Sequence, residues 1–509
     1  MRPRYNPTRF RLARRAARSI LAASIAGCAA EPPHTGPAAT AAATGASAQT
    51  RDEAFRMNVP PPLPAPPFFP PEAQLATLSN GMGVVVAERH SSQVFAADLM
   101  LRGGTAASPD RPAIASKVMA ESLMTGTANH SQGEIYTLMD QKLFDLDVRL
   151  NPFWIDVSAR ALPSAFDATI EMIADLALRP TFPGPEIEVI RRREIGQAAH
   201  AGDDPSLIGR RNLSLAIYGP QHPSARFLEP AAPALANLTR DDIARLWRET
   251  ITPAETVLVI AGNVDPRAVV ARAQALFEGW RADPTFRPPP AIPPPRAVAV
   301  RLIVVDRPRA PQATVFYAVP VPPVDRSTYY PSLVIAQLLG MRSGALQTAL
   351  RDRLGATWSG TASLDDNPSG GMLWWQGSVA GERTADALRE LDSRVRALSA
   401  PGPTQDELAI SKEGLVAALP RGLESVRSLS RVFTWMVGAR LPLDYLDTRR
   451  DNINGVSLDA VRAAVPDPTK TKAVVVGDLA ALKPQLLALG WGTIEEHDAA
   501  GRFVRVVSP

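Results

Sequence analysis

Two distant stretches of this chain share one plan. Residues 256–260 read as an apolar strand, followed by Ala261-Gly262-Asn263-Val264-Asp265 and a helix that runs to Gly279-Trp280. Residues 473–476 read as another apolar strand, followed by Gly477-Asp478 and a helix that runs to Gly490-Trp491. Strand, glycine, Asn/Asp cap, helix and Gly-Trp, repeated so far apart, is self-similarity on the scale of a domain. Between the copies lies Pro288-Pro289-Pro290-Ala291-Ile292-Pro293-Pro294-Pro295. Such a run favours stiff polyproline geometry and cannot continue a helix or a central strand. The chain therefore reads as two related domains in tandem, residues 70–285 and 297–500, joined by a Pro-rich linker at 286–296.

The first domain reads as strand, strand, helix, helix, strand, helix. An Asn80-Gly81 turn leads into a strand at 84–86, and a second strand at 94–101 ends at Gly103-Gly104. Helices are expected around 115–125 and over 135–146, and an alternating strand over 154–161. The helix at 166–178 stops at Arg179-Pro180, where proline disfavours the preceding helical turn, and another helix covers 185–199. The fold class is α+β: two tandem homologous domains, each an antiparallel sheet covered by helices. In the second domain, strands are expected at 301–305 and 313–319 and a helix at 329–339. Trp374-Trp375 sits in an alternating stretch after Gly370-Gly371, so one indole should face the core and the other a groove or a partner.

The N-terminus reads as targeting. Residues 1–18 are Arg-rich, and residues 19–27 form an apolar run too short to span a bilayer, ending at Ile25-Ala26-Gly27-Cys28. This end resembles a bacterial lipobox, which implies a signal peptide at 1–27 and lipidation of Cys28. Cys28 is the sole cysteine, so no intramolecular disulfide forms. Residues 28–69 are rich in Ala, Thr and Pro and suit a disordered tether. Seven arginines and no acid or lysine precede Gly27, so removing that stretch takes the formal charge from +4 to −3. The basic balance is thus a targeting feature, not a sign of nucleic-acid binding.

Chemistry turns on residues 115–127, Ala-Ser-Lys-Val-Met-Ala-Glu-Ser-Leu-Met-Thr-Gly-Thr. The stretch resembles the zinc helix of the insulinase/pitrilysin family of peptidases with its zinc chemistry removed. That family carries H-x-x-E-H on a helix that runs into a Gly-Thr pair. Counting back from Gly126-Thr127 puts Lys117 at the first His, Ala120 at the Glu and Glu121 at the second His. Two neutral imidazoles at i and i+4 can grip one zinc from one helix face. Lys117 is a cation without a free lone pair, and Ala120 cannot act as a base. The resemblance places the third ligand near Gln197, with Glu194 one turn out of register. His222-Pro223 matches a recurrent pair and reads as structural. The other histidines, His34, His90, His130, His200 and His497, have no histidine three or four residues away, so no replacement zinc site is visible. No Gly-rich phosphate loop or CxxC pair is present.

The resemblance continues through the second domain. Asp306-Arg307-Pro308-Arg309-Ala310-Pro311-Gln312 is similar to the family's D-R-P-G-A-P-Q loop, and residues 350–358 are similar to its L-R-E-x-x-G-x-x-Y. There the Arg and Tyr contact substrate across a chamber. Arg351 keeps the Arg; Trp358 replaces the Tyr with an indole that donates but cannot accept. The resemblance implies a non-catalytic subunit with no cofactor of its own. Its expected partners are a zinc-bearing family peptidase subunit, unfolded peptides, and a membrane reached through a lipid at Cys28. The expected location is the bacterial envelope, facing the periplasm, with the outer membrane as the expected anchor. Two readings stay open beside it: a stand-alone envelope scaffold or peptide-binding protein, and an active zinc metallopeptidase.

Overall fold

The computed structural model describes residues 69–508, apart from 231–234, 324–325, 366 and 368. The expected signal peptide, Cys28 and nearly all of the tether lie outside those residues.

The first half supplies strands β1 (Ala73–Thr77), β2 (Gly83–Glu88), β3 (Phe95–Arg102), β4 (Phe144–Leu150), β5 (Trp154–Ala161) and β6 (Thr256–Gly262). They form one sheet in the order β1-β2-β6-β3-β5-β4. The second half supplies β7 (Leu302–Asp306), β8 (Gln312–Val321), β9 (Gly360–Asp365), β10 (Gly371–Ala380), β11 (Lys472–Gly477), β12 (Ile494–His497) and β13 (Phe503–Val506). Their order is β13-β12-β7-β11-β8-β10-β9. The run β2-β6-β3-β5-β4 and the run β7-β11-β8-β10-β9 are the same topology, so the repeat seen in sequence is a repeat of sheets. In each, the late strand inserts between the first two: β6 is parallel to β2 and antiparallel to β3, and β11 is parallel to β7 and antiparallel to β8. The sheets are antiparallel in the main, with these parallel pairs, and β12 on β7, as departures from the expected pattern. The last strand, β13, runs beyond residue 500.

The helices of eight residues or more are α1 (Ala113–Ser122), α2 (Gln132–Lys142), α3 (Phe166–Leu178), α4 (Gly184–His200), α5 (Pro205–Tyr218), α6 (Arg240–Thr250) and α7 (Pro266–Phe277) in the first half. The second half adds α8 (Arg326–Gly340), α9 (Thr384–Ser399), α10 (Gln405–Gly422), α11 (Val426–Gly438) and α12 (Leu479–Leu487). The expected helix over 135–146 is corrected. Leu143 takes a left-handed conformation, φ 57°, and closes α2; residues 144–150 then form the edge strand β4. Phe144, Leu146, Val148 and Leu150 alternate with polar residues, a strand period hidden by the helical run before it. Trp374 and Trp375 point to opposite faces of the sheet, but Trp374 packs, partly buried, against the core beneath α5 rather than facing a groove. Trp375 is buried, while Trp374 lies under the Arg210 guanidinium and donates to Asp365 at 2.9 Å.

The two halves do not keep separate cores. Helix α5 of the first half lies on the second sheet, where Ile208, Leu213 and Ile217 pack with Ile303, Phe316 and Val474. Helix α11 of the second half lies on the first sheet, so Val85, Ala87, Val259 and Ala261 share a core with Leu429, Phe433 and Met436. Gly209 permits the first crossing: a Cβ there would sit 2.1 Å from the Phe316 ring. Arg309 sits at φ 64°, in the left-handed region that favours glycine, and its N–H donates to Asp478 at 2.8 Å.

Candidate functional site

The loop before α1 is clamped from beneath. Arg226 is buried, and its guanidinium donates to the carbonyls of Thr105, Ser108 and Arg111. Gly104, at φ 57°, lets the chain pass Asn151, whose carbonyl oxygen a Cβ would meet at 2.5 Å. Ser116 on α1 ties back to the Gly104 carbonyl at 3.2 Å. The loop after α1 is gathered on Asp175, which accepts from Thr127, from Asn129 at 2.6 Å and from Arg179 at 3.0 Å, and faces His130 Nδ1 at 3.1 Å. Burial pushes the Asp175 carboxyl up, but these hydrogen bonds more than offset it and leave its pKa below the usual range. Helix α1 is thus fixed at both ends.

On that helix, Lys117 and Glu121 face α4. The Lys117 ammonium meets Glu194 Oε2 at 2.5 Å, and the Glu121 carboxylate pairs with Arg193. Glu194 is the acid that meets α1; Gln197, the position expected from sequence, is exposed one turn further along α4. Ile187, Ile190 and Glu194 share the buried stripe of α4, and this spacing is the signal that identifies Glu194. The Glu194 side chain is 2% exposed and Lys117 40%. Burial, and then the charge of Glu194, raise the pKa of Glu121 against the opposing pull of Arg193 and Lys117.

This cluster lines a cavity of about 1090 Å³. Ile114 and Ala120 of α1, Gln197 of α4, Val148 and Leu150 of the edge strand β4, and Asp498 and Arg502 from the end of the chain share its wall. The residues do not fit a zinc ion. Lys117 offers three N–H groups and no lone pair, Ala120 offers a methyl group, and Glu121 is engaged by Arg193. Among the described residues no three His, Cys, Asp or Glu side chains gather as a metal-ligand set.

Arg351 and Trp358 do not line this cavity. Arg351 lies on a π-helical turn, Ala349–Arg353, where Asp352 accepts its Nε–H at 2.7 Å and holds the guanidinium pKa above its ordinary value. Trp358 is 88% exposed. Both are exposed on the second half. His222 is structural as expected: it stacks on Tyr218, accepts from the Ser224 N–H at 3.1 Å and meets Ser369 at 3.0 Å. Burial lowers its pKa to about 4. Because Nδ1 accepts, Nε2 carries the proton and donates to Ser369, so this pair is not poised as base and nucleophile.

Fold and site define a tandem-repeat α+β chain in which α1 and α4 meet through Lys117, Glu121, Arg193 and Glu194. The sequence matches the peptidase M16 inactive domain family over residues 237–415. It is 26% identical over 276 residues to uncharacterised zinc proteases of Mycobacterium bovis and Mycobacterium tuberculosis, a match covering 53% of this chain and 62% of theirs. The chain therefore spans about three fifths of the length of these curated relatives. A crystal structure of a peptidase M16 inactive domain from Pseudomonas fluorescens superposes with TM-score 0.73 at 18% identity, over 80% of this chain and 98% of that one. A protease from Helicobacter pylori superposes with TM-score 0.70 at 17% identity, over 80% of this chain and all of that one. The family-model match and the zinc-protease relatives agree with the resemblance to the insulinase/pitrilysin family read from the sequence, and the superpositions show the same fold.

Proposed function

We propose that this chain is a non-catalytic insulinase/pitrilysin-family subunit that pairs with a zinc-bearing family peptidase and helps enclose and bind peptide in the bacterial envelope. One observation carries the reading. The helix pair that would present zinc keeps its architecture, yet Lys117, Ala120 and Glu121 occupy the donor and base positions, and the Lys117 ammonium is spent on Glu194. The attacking water, its base and its metal would then all belong to the partner.

Two surfaces support the rest. Val148 and Leu150 of the edge strand β4 border the large cavity, and an edge strand offers unpaired backbone groups to an extended peptide. Trp358 and Arg351 stand exposed on the second half, the residue types that anchor interfaces and hold peptide carbonyls or carboxylates. A lipid at Cys28 would hold the assembly at a membrane, with residues 28–69 as the tether; among the described residues no helix is long and apolar enough to cross one. Affinity capture of the full-length protein from its native envelope tests the reading. Recovery of a family peptidase with an intact H-x-x-E-H supports it. Recovery of the chain by itself, under conditions that preserve envelope complexes, favours the stand-alone scaffold.

A further inference from the structure

A second cavity, of about 770 Å³, lies between the two halves beside the turn that joins β4 to β5. Its wall is aromatic. Phe153 and Trp154 come from that turn and the start of β5, Tyr329 and Tyr330 from α8, Trp435 from α11, and Tyr445 from the short turn Leu443–Leu446. Tyr330 and Tyr445 are buried and stack with ring centres 6.4 Å apart. Tyr329 and Trp435 meet Tyr445 edge-on at 6.4 and 5.9 Å. Phe153, Trp154, Tyr329 and Trp435 are only partly buried, so ring surface is left to the cavity. The charges at this wall are spent within the protein. Arg102 pairs with Glu255 at 2.9 Å and donates to the carbonyls of Val437 and Gly438. Arg210 lies over Trp374 and pairs with Asp365. Two guanidiniums against two carboxylates leave no net charge to meet an ion. Burial, and then Tyr329, raise the Tyr445 pKa, so its hydroxyl stays neutral near pH 7.

We propose that this cavity is a binding site for a neutral aromatic ring, carried by a small molecule or by a peptide side chain, which bridges the two halves. The site is distinct from the cluster of α1 and α4 and holds whether or not the chain pairs with a peptidase. Its volume falls in the range of about 300–1,000 Å³ usual for small-ligand sites, whose walls are mainly apolar and aromatic. Ring faces and edges carry opposite partial charge, so these side chains hold a planar guest in offset or edge-on contact as well as by excluding water. Asn151 and Asn367 bring side-chain amides to the same wall and suit an amide or hydroxyl beside the ring. An anion or a cation entering would lose its water without gaining an unpaired partner. A cation fits worse still, because Arg102 and Arg210 stand at the wall and Arg449 already lies over the Tyr445 ring at 5.7 Å.

The test uses the tag-free full-length chain and N-phenyl-1-naphthylamine, an uncharged aromatic dye that brightens when it leaves water. The dye should bind, and N-acetyl-phenylalaninamide should displace it at least about tenfold better than N-acetyl-leucinamide. Ala439 is exposed where it lines this cavity, so Ala439→Phe should weaken the dye by about tenfold or more with the thermal midpoint unchanged. Trp435→Leu, which removes a ring, should weaken it as well. Phe227 and Leu228 line both cavities, so the first cavity needs its own control. Gly196 lines only the first cavity and has open space around a Cβ, so Gly196→Phe should leave dye binding as in wild type. A short Ser/Ala peptide with one central Phe separates the two sources. Competition well above that of N-acetyl-phenylalaninamide assigns the ring to a peptide, and equal competition assigns it to a small molecule. Dye binding that Gly196→Phe abolishes and Ala439→Phe spares would overturn the proposal. So would equal competition by the phenylalanine and leucine amides, or no dye binding at all. Should Trp435→Leu melt well below wild type, Ala439→Phe decides.

Discussion

Asp156→Asn should stabilise this protein at pH 8 and flatten its pH dependence. Asp156 on β5 and Asp98 on β3 lie diagonally on one face of the first sheet, because Met100 pairs with Asp156 and Asp98 with Ser158. Helix α11 covers that face: Ser430 donates to Asp98 at 2.6 Å and Thr434 at 3.4 Å. Trp154 Nε1–H donates to one Asp156 oxygen at 3.0 Å, and the other oxygen is buried without a partner. Burial first, and then the charge of Asp98, push the Asp156 carboxyl up to about 7, against Arg149 and Arg431. Asp98 is itself raised, by burial, against its hydroxyl donors and Arg431. A folded-state pKa above the unfolded one means that the native protein holds a proton the unfolded chain has released. That stability is complete below the ordinary carboxylate range and is lost as pH rises to about 7. Between pH 5 and 7 the slope should be about −1.4 kcal/mol per pH unit from this residue. The full span corresponds to about 4 kcal/mol, and partial solvent access reduces the expected difference to about 2–4 kcal/mol. Asparagine keeps an acceptor for Trp154 and cannot ionise. The assay is urea unfolding from pH 5 to 8, read by tryptophan fluorescence. An Asp156→Asn protein that follows the wild-type slope, or is less stable at pH 8, would refute the argument.

Other residues give equally direct outcomes. Trp358→Ala should leave stability within about 0.5 kcal/mol, because the side chain is 88% exposed, but weaken partner association by about 2 kcal/mol if it anchors that interface; thermal melts and titration with the captured partner measure both. Arg351→Ala should lower the assembled pair's kcat/KM by about five- to thirtyfold, roughly 1–2 kcal/mol, with assembly intact; wild-type turnover would leave Arg351 without a substrate role. Gly209→Val drives two methyl groups toward the Phe316 ring and should cost about 3 kcal/mol in denaturant unfolding. Cys28→Ala should move the protein from the membrane to the soluble fraction, and retention after a high-salt wash would assign the anchor elsewhere.

Much of this was legible in the sequence because it is local. The Gly-Asp-helix repeat marks β6 and β11, the strands that each sheet builds its centre around. That Lys117 offers no lone pair and Ala120 no base follows from side-chain chemistry alone. What stayed hidden depends on what a buried face meets. Helices α5 and α11 each bury an apolar stripe on the other half's sheet, a contact between distant segments that local pattern does not encode. The 135–146 error arose at Leu143, where one left-handed residue ends α2 and starts the alternation of β4. Counting from a motif gave Gln197 and set Glu194 one turn out of register, whereas the stripe Ile187, Ile190, Glu194 points to the acid that is buried against α1. Arg309 stands where the similar loop has glycine, and its φ of 64° is the left-handed conformation that glycine favours.

The measurement closest to the central claim is zinc content together with peptide hydrolysis. Both are taken on the tag-free chain alone and again on the chain reconstituted with a captured peptidase. The account predicts no stoichiometric zinc and no hydrolysis by the chain alone. It predicts hydrolysis by the pair that survives Glu121→Gln in this chain. One zinc per chain in the isolated protein, or hydrolysis by it that Glu121→Gln abolishes, would contradict the account.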